Sequence, residues 1–183
     1  MGGLWQTFVP LALLALLVRG YLAYVALPDK LIDDSYITLR YAANLAEGKG
    51  FVYNPGENVW GTTTPLQTLI LALAAVVFGV PALEFSAVLI GLAASVAFWL
   101  MLVIIFEEQR VPRPVTAAVL LMVLFGPAYV SNSVSGMETP LVLALMALSF
   151  YLSTQERPVL LGIVFGLLLL ARIDTLLWIG AVG

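Results

Sequence analysis

Apolar residues along the chain come in long unbroken runs, at 4–27, 66–80, 83–106, 115–130, 138–153 and 158–171, and once more at 176–183. Most of these runs approach the roughly 20 residues that an α-helix needs to cross about 30 Å of hydrocarbon. The polar segments between them are short, at 107–114, 131–140 and 154–158, except for one long stretch at 28–64. The pattern predicts an all-α polytopic transmembrane helical bundle. A cleaved signal peptide is the rival reading of 4–27, but its first residues carry no Lys or Arg and no small-x-small pattern precedes Pro28. The last run stops without a basic flank, so the chain is expected to be the front part of a longer bundle.

Composition sharpens this picture. Of 183 residues, 62% are hydrophobic and 10% charged, against about 25% charged in a soluble domain. Eight basic and eleven acidic side chains give a net charge of −3, with no basic cluster, which argues against a nucleic-acid partner. The chain has no Cys and no His. Thiol nucleophiles, disulfides, zinc sites of the N/S kind and imidazole catalysis are therefore excluded, and proton chemistry falls to carboxylates.

Loop charge sets the topology. Short loops bearing Arg stay cytoplasmic, which places Arg110, Arg113 and Arg157 inside and the SGMET loop at 135–139 outside. Parity then requires that one run not cross. The segment PLQTLILALAAVVFGV at 65–80, bounded by Pro65 and by Gly79 with Pro81, has an apolar core of only about 14 residues and is the candidate. It is read as a helix lying at, or dipping into, the outer interface. The crossings are then 4–27, 83–106, 115–130, 138–153 and 158–171, with the N-terminus inside. The expected location is the plasma membrane, multi-pass, with any site facing out.

The outer loop at 28–82 holds five of the eleven acids: Asp29, Asp33, Asp34, Glu47 and Glu57. Asp33 or Asp34 is expected to cap a juxtamembrane helix over about 34–47 that Gly48 stops. One cap needs one carboxylate, so the other is free for chemistry. Arg40, two turns after Asp33, either pairs with it or contacts an anion. Asn54-Pro55-Gly56-Glu57 has Pro and Gly where a type II turn needs them and predicts a small hairpin. Thr62, Thr63 and Thr64 either cap the 66–80 helix or bind a polar ligand. Elsewhere, Arg19 is expected to snorkel to the headgroups, and Gly162 with Gly166 to pack a neighbouring helix.

Four segments carry a resemblance: DDSYITLRYAANLAEGKGFVYNPGE, WGTTTPL, SGMETPL and ARID. Together they resemble the membrane glycosyltransferases of the GT-C class, in particular the branch that includes bacterial arabinofuranosyltransferases and related cell-surface sugar transferases. The resemblance implies transfer of a sugar from a polyprenyl-phosphate-linked donor to a glycan, lipid or protein acceptor outside the membrane. It puts Asp33 and Asp34 on the catalytic acidic motif, Glu138 on the acidic position of the second outer loop, and Arg172 and Asp174 on the signature closing the fifth crossing. Arg40 and Glu57 join these as substrate-binding residues.

Such a transfer needs a base for the acceptor proton and a positive group for the leaving phosphate. Asp33 or Asp34 is assigned the first role and Arg172 the second, with mutual neutralisation of Arg172 and Asp174 as the structural alternative. A divalent cation, Mg²⁺ or Mn²⁺, on Asp33 and Asp34 would suit an oxygen-only ligand set. Two other classes stay open: a lipid or ion transporter, and a non-catalytic membrane subunit derived from a transferase by truncation.

Overall fold

The computed structural model describes residues 2–26, 31–57, 59 and 61–183. Pro28, Asp29 and Trp60 lie outside them, as does the last residue of the 4–27 run. Among the described residues nine α-helices occur and no strand. They are α1 (Gly2–Ala26), α2 (Asp33–Ala46), α3 (Pro65–Phe78), α4 (Leu83–Glu108), α5 (Arg113–Phe125), α6 (Pro127–Val134), α7 (Thr139–Thr154), α8 (Pro158–Ala171) and α9 (Leu176–Val182). Short 3₁₀ turns, Val80–Ala82 and Ile173–Thr175, introduce α4 and α9.

The sequence sets these boundaries through proline and glycine. Pro65, Pro127 and Pro158 each open a helix at its first position, where the missing N–H costs nothing. α2 closes on Gly48 at φ +74°. The N–H of Lys49 then bonds Asn44 O at 2.8 Å, and that of Gly48 bonds Leu45 O at 3.1 Å, the two bonds of a Schellman closure. The expected run 115–130 is broken at Gly126, and α5 and α6 meet at 49°. Pro127 has no N–H to continue the ladder.

By length and composition, Val80–Glu108 (29 residues) is long and apolar enough to cross a membrane, and the bent α5–α6 pair is a second candidate taken as one broken span. α3, α7 and α8, at 14, 16 and 14 residues, fall short of the about 20 a straight crossing needs.

α4 is the spine. It packs most extensively on α7 and also against α6, α1 and α5, while α2 rests on α3 and α7 on α8. Three apolar clusters fill these contacts: Leu39 and Ala42 with Leu71, Ala75 and Ala87; Ala15 with Trp99, Val103 and Leu120; and Val142 and Leu152 with Val164 and Leu168. The bundle has two distinct ends. At one, Gln155 Nε2 donates to Glu108 Oε2 at 2.9 Å, near Arg110, Arg113 and Arg157. At the other, Ile32 N–H reaches Ser135 O at 3.4 Å, bringing the start of α2 to the α6–α7 loop.

Several expectations are corrected here. Ile32, not an aspartate, occupies the N-cap of α2, and no side chain caps it. Asp33 and Asp34 form the first turn instead, where the helix dipole favours acids. Thr64 precedes α3 without capping it, because its hydroxyl faces Thr38 and Thr62. The turn at 54–57 forms, with Glu57 N–H to Asn54 O at 3.1 Å and Gly56 at φ +90°, but among the described residues no strand pairs across it. Side chains of α2 take the carbonyls of Val52 and Tyr53 that a partner strand would have used.

Arg19 does not snorkel. It is buried, donates from Nη2 to Leu124 O at 3.3 Å, and lies over the Tyr129 ring at 4.5 Å, so it satisfies a carbonyl at the α5–α6 bend. Gly162 and Gly166 are exposed with no neighbour near their Cβ positions. They pack no helix. The close approach is made by Gly91, whose Cβ would stand 2.7 Å from Ser133 O.

Candidate functional site

α2 organises the site by folding the loop after it back onto itself. Asn44 Nδ2 donates to Val52 O and Tyr53 O, each at 2.8 Å. Tyr41, fully buried, donates its hydroxyl to Val59 O at 2.8 Å and accepts from Gly61 N–H at 2.7 Å. Its ring sits 5.3 Å from that of Phe51 and 6.0 Å from that of Tyr53. These anchors deliver Thr62 and Thr64 beside Thr38, with Thr38 Oγ1 to Thr64 Oγ1 at 3.2 Å and Thr62 Oγ1 to Thr64 Oγ1 at 3.3 Å.

From the other side, α8 ends at Arg172, whose backbone is extended at φ −160°. The guanidinium therefore turns back across the bundle end. Its Nη1 donates to Glu138 Oε1 at 3.0 Å, while Nε and Nη2 hold Asp174 at 3.1 and 2.9 Å. Glu138 is 3% exposed and Asp174 60%, so Arg172 ties a buried carboxylate to an open one. Its hydrogen bonds to Asp174, ahead of its charge partners, raise the Arg172 pKa above the ordinary guanidinium value. The same bonds lower that of Asp174 below 3.8. The mutual-neutralisation alternative is thus present in the geometry, yet among the described residues two of the five Arg172 N–H donors find no acceptor.

The two halves enclose a polar cavity of about 350 Å³ lined by Asp34, Thr38, Thr62, Thr64, Glu138 and Arg172, among others. Asp34 and Glu138 thus share a wall. Asp33 is not part of that lining; it precedes Asp34 by one residue, about 100° around the helix. Arg172 also borders a second concavity of about 500 Å³, lined mainly by apolar side chains of α7 and α9, including Val142, Met146 and Trp178.

The remaining predicted residues fall elsewhere. Arg40 Nε donates to Tyr53 O at 3.3 Å and lines a cleft with Glu84; among the described residues it pairs with no carboxylate. Glu57 accepts from Asn54 Nδ2 at 3.0 Å in a hollow beside Tyr53. Thr38 and Tyr41 were missed by the sequence reading. Thr38 follows Asp34 by four residues, the spacing that puts two side chains on one helix face, and that signal was available. Nothing local pointed to Tyr41.

The divalent-cation expectation was tested on the donor set. Among the described residues no group of three or more acidic side chains gathers around one point. Only Asp34 of the pair reaches the cavity, and Arg172 already engages Glu138. These residues alone do not make a divalent site, and no step below is routed through one.

No family model matches the sequence, and neither a curated protein nor a solved structure does.

Proposed function

We infer that this chain is a polytopic membrane glycosyltransferase of the GT-C kind, transferring a sugar from a polyprenyl-phosphate donor to an acceptor at the outer face. One observation carries the reading. Arg172 is the shared wall of a hydroxyl-lined polar cavity and an apolar groove, the division that a lipid-linked sugar phosphate would need. The sugar would sit among the threonines, the phosphate against the free Arg172 donors, and the hydrocarbon along α7 and α9.

Surface chemistry supports the membrane part. α3 buries Gln67 and Thr68 beside Leu71, Ala72 and Ala75 while exposing Leu69, Leu73, Val76 and Val77, so its outer face is apolar where that of a helix in water is polar. That favours the interfacial placement of α3 and leaves α1, α4, the bent α5–α6 pair, α7 and α8 as five crossings, the short α7 and α8 requiring locally thinned lipid. Large exposed apolar side chains on α1 and α8, among them Leu17, Val159 and Ile163, favour a lipid surround. The basic loops at the far end favour an outward-facing cavity by the positive-inside tendency.

In the reaction, the acceptor hydroxyl oxygen attacks C1 of the sugar and its proton passes to the Asp34 carboxylate. The C1–O bond to phosphate breaks, and its electron pair stays on the phosphate, stabilised by Arg172. Attack opposite the leaving group inverts the anomeric centre. Glu138 acts as a positioning residue by fixing Arg172.

The test is incubation of the protein, reconstituted in vesicles with a cell-envelope glycan as acceptor, with a radiolabelled polyprenyl-phosphate-linked arabinose or glucose. Release of polyprenyl phosphate with transfer of label is the expected result. Uptake of intact donor into vesicles would favour transport, and binding without cleavage a non-catalytic subunit; either would overturn the reading.

A further inference from the structure

A further hollow of about 360 Å³ adjoins the polar cavity, with Ile37 and Gly61 lining both. This hollow presents a different chemistry. Its floor is Tyr41, whose hydroxyl is already used twice. Its wall is Tyr53, 44% exposed, with Asn54 and Glu57 alongside. Asn54 Nδ2 holds Glu57 Oε2 at 3.0 Å, which orients the carboxylate and leaves Oε1 without a partner among the described residues. Among the described residues no Lys or Arg lines the hollow, and Arg40 borders the separate cleft on the other side of Tyr53 and Asn54.

An accessible aromatic face beside a fixed carboxylate and an amide oxygen suits a ring that is apolar on its faces and bears hydroxyl donors on its rim. The ring C–H groups meet the electron-rich aromatic face, and the hydroxyls donate to Glu57, a charge-assisted contact. An anionic ligand would instead meet the Glu57 charge with no cation to balance it. We propose that the Tyr53–Asn54–Glu57 hollow is the acceptor subsite and that it takes a neutral sugar residue of a glycan. The shared Ile37–Gly61 edge would let the acceptor's reacting hydroxyl extend towards Asp34. This rests on the transferase reading for the word acceptor, but not for the binding of a sugar.

Saturation-transfer NMR on the protein in nanodiscs tests the proposal without any donor. The probes are the methyl glycosides of glucose, galactose, mannose and arabinose, with methyl glucuronide as the anionic comparison. At least one neutral glycoside should bind, more tightly than the glucuronide. Tyr53→Leu and Glu57→Gln should each raise its Kd about tenfold, the loss of one good contact, whereas Tyr53→Phe, which keeps the ring, should bind nearly as the parent. Circular dichroism and thermal unfolding check that each variant is folded, and Glu57→Gln, on an exposed turn, provides the arm least exposed to folding defects. Binding of no neutral glycoside, or unaltered binding in both variants, would overturn the proposal. If glycoside binding follows Tyr53 while the lipid donor is never cleaved, the transferase reading fails and the sugar site stands; cleavage of the donor by water without glycoside binding gives the reverse.

Discussion

Arg172 Nη1 donates to Glu138 Oε1 across 3.0 Å, joining the residue that ends α8 to the one that precedes α7. Glu138 is buried and Arg172 is 43% exposed at its side chain. Loss of the guanidinium would therefore strand a buried carboxylate, whereas loss of the carboxylate would leave a cation that still has Asp174 and water.

The asymmetry predicts that Arg172→Ala destabilises the protein by about 1–3 kcal/mol, the cost of an unsatisfied buried acceptor moderated by partial exposure. Glu138→Gln, which keeps an acceptor for Arg172, should cost less. Thermal unfolding in detergent orders the two; equal melting temperatures would remove the coupling. In steady-state assays Arg172→Ala should raise the donor KM as well as lower kcat, and an unchanged donor dependence would assign Arg172 to structure alone.

The α2 loop gives a second prediction. Asn44 is 1% exposed and its amide is the shared donor to two carbonyls of the 51–57 segment. Asn44→Ala should cost about 1–3 kcal/mol by orphaning Val52 O and leaving Tyr53 O to Arg40 Nε alone, and should release the loop that positions Thr62 and Thr64. Limited proteolysis would then cut within 51–57 faster than in the parent. Unaltered cleavage would show that Tyr41 holds the loop unaided.

Glycine substitutions separate contact from propensity. Gly91→Ala drives a methyl group to 2.7 Å from Ser133 O and should cost about 1–3 kcal/mol by overpacking α4 against α6. Gly166→Ala on the open face of α8, with nothing within 4 Å, should be neutral or stabilise by up to about 1 kcal/mol. Melting curves that rank the two in the opposite order would contradict the α4–α6 packing.

How far these features were legible in the sequence follows the range of the forces involved. Helix limits were readable because Pro65, Pro158 and Gly48 act locally, so the apolar runs and the observed helices coincide within a few residues at α4, α7 and α8. The bend at Gly126–Pro127 carried the same local signal and was passed over in a continuous apolar run. The acids of the two outer loops, Asp33, Asp34 and Glu138, are expected from the topology to converge on one shared cavity; Asp34 and Glu138 line one together with Arg172, and Asp33 does not. Nothing local distinguished Asp34 from Asp33: the choice depends on the rotation of α2, fixed by Leu39 and Ala42 against α3 and α4. The Arg19 contact with Leu124 and Tyr129 spans more than 100 residues, and no periodicity reports it.

The distinction between the neighbouring aspartates is the most direct test of the account. Asp33→Asn and Asp34→Asn, made separately in the intact protein, would be compared for turnover of a lipid-linked sugar donor. Asp34→Asn should lower kcat by about 10²–10⁴, the range for loss of a general base, while Asp33→Asn stays within a few-fold of the parent. Near-parental turnover in Asp34→Asn, or the greater loss in Asp33→Asn, would contradict it.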